Sequence, residues 1–147
     1  MQRIALVSCV GKKLGSRAKA RDLYQSPWFL KARAFAEATC DEWYILSALR
    51  GLVFPWQELA PYEMSMGSMN AQERRVWASL VSLRLANELP VSVELVILAG
   101  VKYREHLIPE LLRWEVPVSV PMEGLGIGHQ MQWLDRQLLA LPAEVSA

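Results

Sequence analysis

Cys9, Lys12 and Lys13 stand together in the segment VSCVGKK, a thiol and two ammonium groups around a glycine where the first apolar run of the chain ends. A thiol beside two lysines has the setting of a nucleophile, because nearby positive charge favours the thiolate. The competing reading of Cys9 is a small residue buried in a tight turn. Gly11 with the two lysines reads as a phosphate-binding turn, yet the spacing GxxxxGK[ST] is absent and an ATPase is excluded. Three acids, Asp22, Glu63 and Glu123, fall near the ends of apolar runs. A carboxylate in such a place orients water or stabilises an oxocarbenium-like sugar, as hydrolysis of an N-glycosidic bond requires. Each also has a plain role: Asp22 balances its basic neighbours, Glu63 is solvated on a loop, and Glu123 sits in a turn. Tyr24, Tyr62 and Tyr103 offer ring faces that accept any base and hydroxyls that reach phosphate, or else simple half-buried packing. Gly124, Gly126 and Gly128 give GxGxG rather than GxGxxG, a loop whose backbone amides, Gly126 among them, touch a ligand without forming a dinucleotide fingerprint. His129 opens the last helix, where it binds phosphate or acts as acid or base. It lacks partner ligands, so neither a metal nor another cofactor is expected.

The elements that must position these groups are legible from periodicity. Residues 2–9 form a first strand. Ser26-Pro27 supplies an N-cap and a first-turn proline for an amphipathic helix over 27–40. The run 43–46 is a buried strand, stopping at Ser47. The next 20 or so residues, through Arg50-Gly51, Pro55, Pro61 and Met66, show neither helical nor alternating period, and loops of roughly this length are usually binding loops or disordered. Leu52, Val53, Phe54, Trp56, Leu59 and Tyr62 are too much apolar surface to leave in water, so the loop is read as a lid, with Trp56 the tryptophan expected to meet a ligand. A capping-box-like start at Asn70-Ala71-Gln72-Glu73 opens a helix to about residue 89, with Val76, Leu80, Leu83 and Leu85 among its apolar positions. Residues 93–99 are a buried strand, 101–114 a helix kinked or divided at Pro109, 116–120 a fourth strand, and 129–141 a final helix. Alternation of this kind predicts a single α/β domain over residues 1–147 with a mainly parallel four-stranded sheet and helices on both faces. Ligands of open α/β sheets bind outside the carboxyl ends of the strands, here residues 9–13, 47–51, 100–103 and 121–128. The polar and glycine-rich features converge on those four places, with Ser47 and Tyr103 at two of them.

At 52% hydrophobic and 21% charged residues, the 147-residue chain has a globular composition. No apolar run approaches the roughly 18 residues that cross a bilayer, and two lysines follow the short N-terminal run where a signal peptide would carry its cleavage site. Cys9 and Cys40, without CxxC spacing, suggest a reduced cytoplasmic protein. The net charge of +1 is unevenly spread: residues 1–33 carry eight basic groups, including Arg17, Lys19 and Arg21, against the single acid Asp22. The first quarter is thus +7 and the remainder −6. Such asymmetry reads either as a basic face meeting phosphate, most naturally nucleic acid, or as charges balanced in space by the acidic remainder.

The segments VSCVGKK, LYQSPWF, WYILSALRGLVFPWQELAPYEMSM, LAGVKYR and PMEGLGIGHQMQWL resemble an uncharacterised bacterial and phage domain family of about this length, over nearly the whole chain. Within them, LSALRGLVFPWQELAPYEMSM also resembles the corresponding part of the YaaA family of peroxide-stress proteins, which are linked to DNA binding and protection from oxidative DNA damage. This chain is much shorter than YaaA and lacks its later portion. Cys9, Lys12 and Ser26 are similar to the nucleobase-handling domain of archaeosine synthase, related in fold to uracil-DNA glycosylases. The resemblances imply a nucleic acid, DNA before RNA, or a nucleobase-containing ligand, in DNA damage response or phage conflict. On this reading Asp22, Glu63 or Cys9 does the chemistry. Lys12, Lys13, Arg17, Lys19, Arg21, Tyr24, Ser26, Ser47, Tyr62, Tyr103, Gly126 and His129 hold the ligand. The alternatives are a non-catalytic DNA-binding protein of the YaaA type and a small-molecule nucleotide hydrolase or transferase.

Overall fold

Apolar residues at consecutive rather than alternate positions mark strands covered on both faces, and RIALVS, WYILS and VELVIL are of this kind. The computed structural model describes residues 1–9 and 11–142. In it these runs become β1 (Gln2–Ser8), β3 (Glu42–Ser47) and β6 (Val93–Leu98). The remaining elements are β2 (Ala18–Lys19), α1 (Ala20–Leu23), α2 (Pro27–Thr39), β4 (Gly51–Val53), β5 (Glu58–Leu59), α3 (Ala71–Glu88), α4 (Val101–Arg104), α5 (Leu107–Arg113), β7 (Val118–Ser119) and α6 (Ile127–Ala140). A 3₁₀ turn lies at Met66–Ser68.

The domain is α/β, as expected, but its sheet has five strands in the order β4-β3-β1-β6-β7 and is mixed. β1 pairs in parallel with β3 and β6, β7 pairs in parallel with β6, and β4 returns antiparallel to β3. This corrects the four-stranded expectation. The fifth strand was hidden because a three-residue strand displays no period; what marks it is Gly51, whose φ of 72° lets the chain reverse directly after β3. The fourth strand also contracts, from the expected 116–120 to Val118–Ser119.

Helices cover both faces. On one, α2 buries Phe29, Ala32 and Ala36 and α6 buries Leu134 against Ala5, Val7, Ile45 and Val96. On the other, α3 and α5 bury Trp77, Val81, Leu85, Leu107 and Leu111 against Ile4, Leu6, Leu46 and Ile97. α2 begins as its sequence dictates, with Ser26 Oγ accepting from Phe29 N at 3.1 Å and Pro27 in the first turn. The core stripe of α3 differs from the one expected: Trp77, Ala78, Val81 and Leu85 are buried, whereas Val76, Leu80 and Leu83 are half or more exposed. The helix turns its tryptophan inward, and Trp77 Nε1 donates to the Ser47 carbonyl at 2.8 Å, fixing the helix against the end of β3. Its start is a full capping box, Glu73 N donating to Asn70 Oδ1 (2.8 Å) and Asn70 N to Glu73 Oε1 (2.9 Å). Asn70→Ala is therefore expected to lower stability by about 1 kcal/mol, and Asn70→Ser by much less. Urea midpoints of the two variants check this.

The helical segment after β6 breaks at Glu105-His106, not at Pro109. Proline occupies the first turn of α5, where its missing N–H breaks no intrahelical bond. The long loop is likewise more ordered than its sequence suggests. β5 pairs antiparallel with β2, and Ala20 N and Arg21 N donate to Gln57 O (2.7 Å) and Pro55 O (2.9 Å). The loop is thus laced to residues 18–21, and these two segments together overhang the carboxyl ends of β1 and β3. Among the described residues, no helix is long and apolar enough to cross a membrane.

Candidate functional site

β1 delivers Cys9 to the carboxyl edge, where Cys9 N still donates to Leu46 O at 3.0 Å. Gly11 follows with φ of 77°, and a Cβ there would stand 3.3 Å from Ser26 Cβ; backbone conformation and close approach both call for glycine. The basic loop beyond it is pinned by backbone bonds from Leu14 N to Leu23 O (2.8 Å) and from Gln25 N to Lys12 O (2.7 Å). Lys12 and Lys13 are therefore presented from a fixed backbone, not from a free loop.

Two adjoining cavities open along this edge. The larger, about 740 Å³, is walled by Cys9 and Tyr103 on one side and by Met64, Met66 and the 3₁₀ turn on the other, with Lys102 at its margin. The smaller, about 480 Å³, lies between residues 11–15 and residues 61–63. Gly11, Lys13 and Glu63 line both and form the ridge between them. Volumes of several hundred Å³ are those of small-ligand sites.

The floor is a cluster of hydroxyls. Tyr62 Oη lies 2.7 Å from Tyr24 Oη, 2.5 Å from Ser47 Oγ and 3.4 Å from Cys9 Sγ. Ser47 Oγ accepts from Arg50 N at 3.0 Å, which leaves its own proton for Tyr62. Tyr103 Oη donates to the Cys9 carbonyl at 3.0 Å. Burial, above all, pushes the Tyr24, Tyr62 and Tyr103 hydroxyls far above the ordinary tyrosine range, so all three stay protonated at neutral pH. The Lys13 ammonium sits 4.8 Å from the centroid of the Tyr62 ring and 5.7 Å from that of Tyr24, a cation held over two aromatic faces.

The structure sorts the residues expected from sequence. Cys9, Lys12, Lys13, Glu63, Tyr62 and Tyr103 line one cavity or both. Ser47 and Tyr24 lie beneath, in the hydroxyl cluster; Tyr24 is fully buried, so its ring has no face on which a base could stack. Ser26 is engaged as the α2 cap. Asp22 lies outside both walls, and its carboxylate is within 3.3 Å of Arg33 and 3.8 Å of Arg21. Gly126 and His129, at the start of α6, line neither cavity, and Glu123 lies away from both. Trp56 is 62% exposed and stacks flat on Phe54 at 5.0 Å, away from the cavities.

The basic face also changes. Five of the eight N-terminal cations meet an acid within 4 Å: Arg3 with Glu94, Arg17 with Glu58, Arg21 and Arg33 with Asp22, and Lys31 with Asp135. Among the described residues Lys12, Lys13 and Lys19 have no such partner, and two of these three line the smaller cavity. The residue that sequence reasoning passed over is Lys102, two positions after Gly100; its ammonium lies 3.5 Å from where a Gly67 Cβ would be. A cation this close behind a strand end was the available signal.

These features define an α/β domain with a lysine-edged, tyrosine-floored double cavity at the carboxyl edge of a mixed sheet. The chain belongs to a family of unknown function, DUF6884, whose model matches residues 4–136, a span that contains every residue lining the two cavities. It is also similar to the uncharacterized protein YfjM of Bacillus subtilis (strain 168), at 30% identity over 151 residues, covering 92% of this chain and 95% of that protein.

Proposed function

We propose that the chain binds nucleic acid, DNA before RNA, or another nucleobase-containing ligand in the double cavity, and that it acts on the base or its glycosidic bond. The observation that carries this reading is the ridge: an ammonium and a carboxylate, Lys13 and Glu63, standing between two cavities above a floor of buried phenols. Lysine holds phosphate. Apolar walls with an aromatic ring accept a base that has left its stack, the condition for chemistry on it. Glu63 is then the carboxylate that orients water or steadies positive charge on the sugar, in preference to the ion-paired Asp22. Cys9, bordering the larger cavity, is the candidate nucleophile. The local resemblance to the YaaA family supports DNA as the polymer and damage response as the setting.

A second reading, binding without catalysis, is favoured by one observation: among the described residues lining the cavities, Glu63 is the sole acid and there is no histidine to share proton transfer with it.

Binding to fluorescent single- and double-stranded DNA at low and moderate salt, followed by heating in alkali, separates the two. With Lys12 and Lys13 as the phosphate-facing cations, the single-strand affinity is expected to fall with a log–log salt slope of about −1.4, far from the slope of about −5 or −6 that the full basic quarter would give. Alkali-labile breaks that disappear in Glu63→Gln support the enzyme. Binding without breaks supports the protective binder, and absence of binding at low salt removes both in favour of a small-molecule nucleotide.

A further inference from the structure

The two cavities differ in chemistry, and the difference divides the ligand. The smaller one is edged by two ammonium groups without ion-pair partners among the described residues, by Gly11 and Gly15, which bring no side chain, and by the Tyr62 ring. The Lys13 ammonium is not dangling in solvent: it is held over that ring and lies 3.5 Å from the Gly11 carbonyl. A preplaced pair of cations beside accessible backbone suits a phosphate dianion. The larger one is also bordered by two lysines, Lys13 and Lys102, but adds the thioethers of Met64 and Met66, Val101 and the Tyr103 ring, which the smaller one lacks. Polarizable, adaptable thioethers against an aromatic ring suit a flat heterocycle without fixing which one.

We infer that the double cavity takes one nucleotide unit, its phosphate in the smaller cavity between Lys12 and Lys13, its base in the larger between the methionines and Tyr103. The sugar then lies over the ridge beside Glu63, which lines both cavities. This assignment rests on the proposed ligand class and adds its orientation. The opposite orientation would place the phosphate against Lys102.

Calorimetric titration with nucleosides, their 5′- and 3′-monophosphates and short single-stranded oligonucleotides tests it. In the wild type a monophosphate is expected to bind about tenfold or more tighter than its nucleoside, the worth of a charge-assisted contact. In Lys12→Gln/Lys13→Gln that advantage collapses, and because Lys13 borders both cavities nucleoside affinity falls too, but by less than monophosphate affinity. In Lys102→Gln the ratio persists. Val101→Trp, at an exposed position on the larger cavity, weakens nucleoside and monophosphate alike. If only oligonucleotides bind, and both Lys12→Gln/Lys13→Gln and Val101→Trp weaken them, the nucleotide unit belongs to a polymer and the division stands. A phosphate advantage that survives loss of Lys12 and Lys13 but vanishes with Lys102 reverses the orientation and overturns the inference. Oligonucleotide binding indifferent to Val101→Trp overturns it too, while leaving DNA binding intact. No binding by any probe removes both the orientation and the ligand class.

Discussion

Above pH 10 the protein is expected to lose stability steeply, because its tyrosines are asked to ionise where the fold forbids it. In the unfolded chain a tyrosine gives up its proton near pH 10, but in the fold burial holds Tyr24, Tyr62 and Tyr103 protonated well beyond that. Burial and the neighbouring Glu42 also push Tyr44, on the far face of the sheet, up to about 12. A raised folded pKa means that the unfolded state sheds protons first as pH rises. The contribution is therefore fully present below pH 10 and is lost between pH 10 and the folded values. Each such tyrosine removes about 1.4 kcal/mol per pH unit in that window, so the three at the carboxyl edge together remove about 4 kcal/mol per unit. Against a total of about 5–15 kcal/mol for a typical domain, loss of a large part of the stability by pH 12 is the expected result. Urea melts from pH 8 to 11.5, read beside tyrosinate absorbance, check it. Absorbance that develops around pH 10 while the far-ultraviolet spectrum and urea midpoint stay unchanged would falsify the account.

Tyr62→Phe is expected to cost about 1–3 kcal/mol, and Tyr24→Phe/Tyr62→Phe to cost less than the two single changes added together. Removing the Tyr62 hydroxyl takes away the 2.7 Å partner of the fully buried Tyr24 hydroxyl, and a buried bond left unmade carries a desolvation penalty. Removing both hydroxyls leaves two apolar rings at 6.4 Å, edge to face, a contact that survives the loss of the oxygens. Ser47 keeps Arg50 N as a donor throughout but loses Tyr62 Oη as the acceptor of its own proton in both Tyr62 variants, so that loss adds to the cost of each and cancels from the coupling. A double-mutant cycle on urea midpoints measures the coupling, and strict additivity would show that the two phenols do not depend on one another.

The elements legible in the sequence were those that carry their information locally. Ser26-Pro27 and Asn70 with Glu73 announce helix starts because caps bond within three residues, and the consecutive apolar residues of β1, β3 and β6 declare strands covered on both sides. β4 and β5 were not legible, since strands of three and two residues are made by their partners and not by their own pattern. The break after α4 was misplaced for a related reason: Pro109 is a strong signal, but it is tolerated in a first turn, and the chain bends at Glu105-His106 instead. In the site, the rule that ligands sit beyond strand ends brought Cys9, Lys13 and Tyr103 together correctly. Gly126 and His129, beyond the two-residue β7 at the sheet's edge, line neither cavity. The two readings of the basic quarter could not be separated locally, because charge balance is a matter of space. Asp135 and Glu94 are about a hundred residues from Lys31 and Arg3 in sequence, and nothing local pairs them.

The sheet's borders bear on how this protein behaves in crowded solution. β4 offers three residues and β7 two, so another chain seeking to add a strand finds almost no template at either border. One acceptor on β4 is already occupied, the Leu52 carbonyl receiving Arg84 Nη1 at 2.9 Å. The longer, apolar β3 beneath is a better template for intermolecular pairing, and its second half, Ile45 to Ser47, is reached only when the β4 hairpin peels away. Three residues and one guanidinium thus shield the apolar second half of β3 from pairing with another chain.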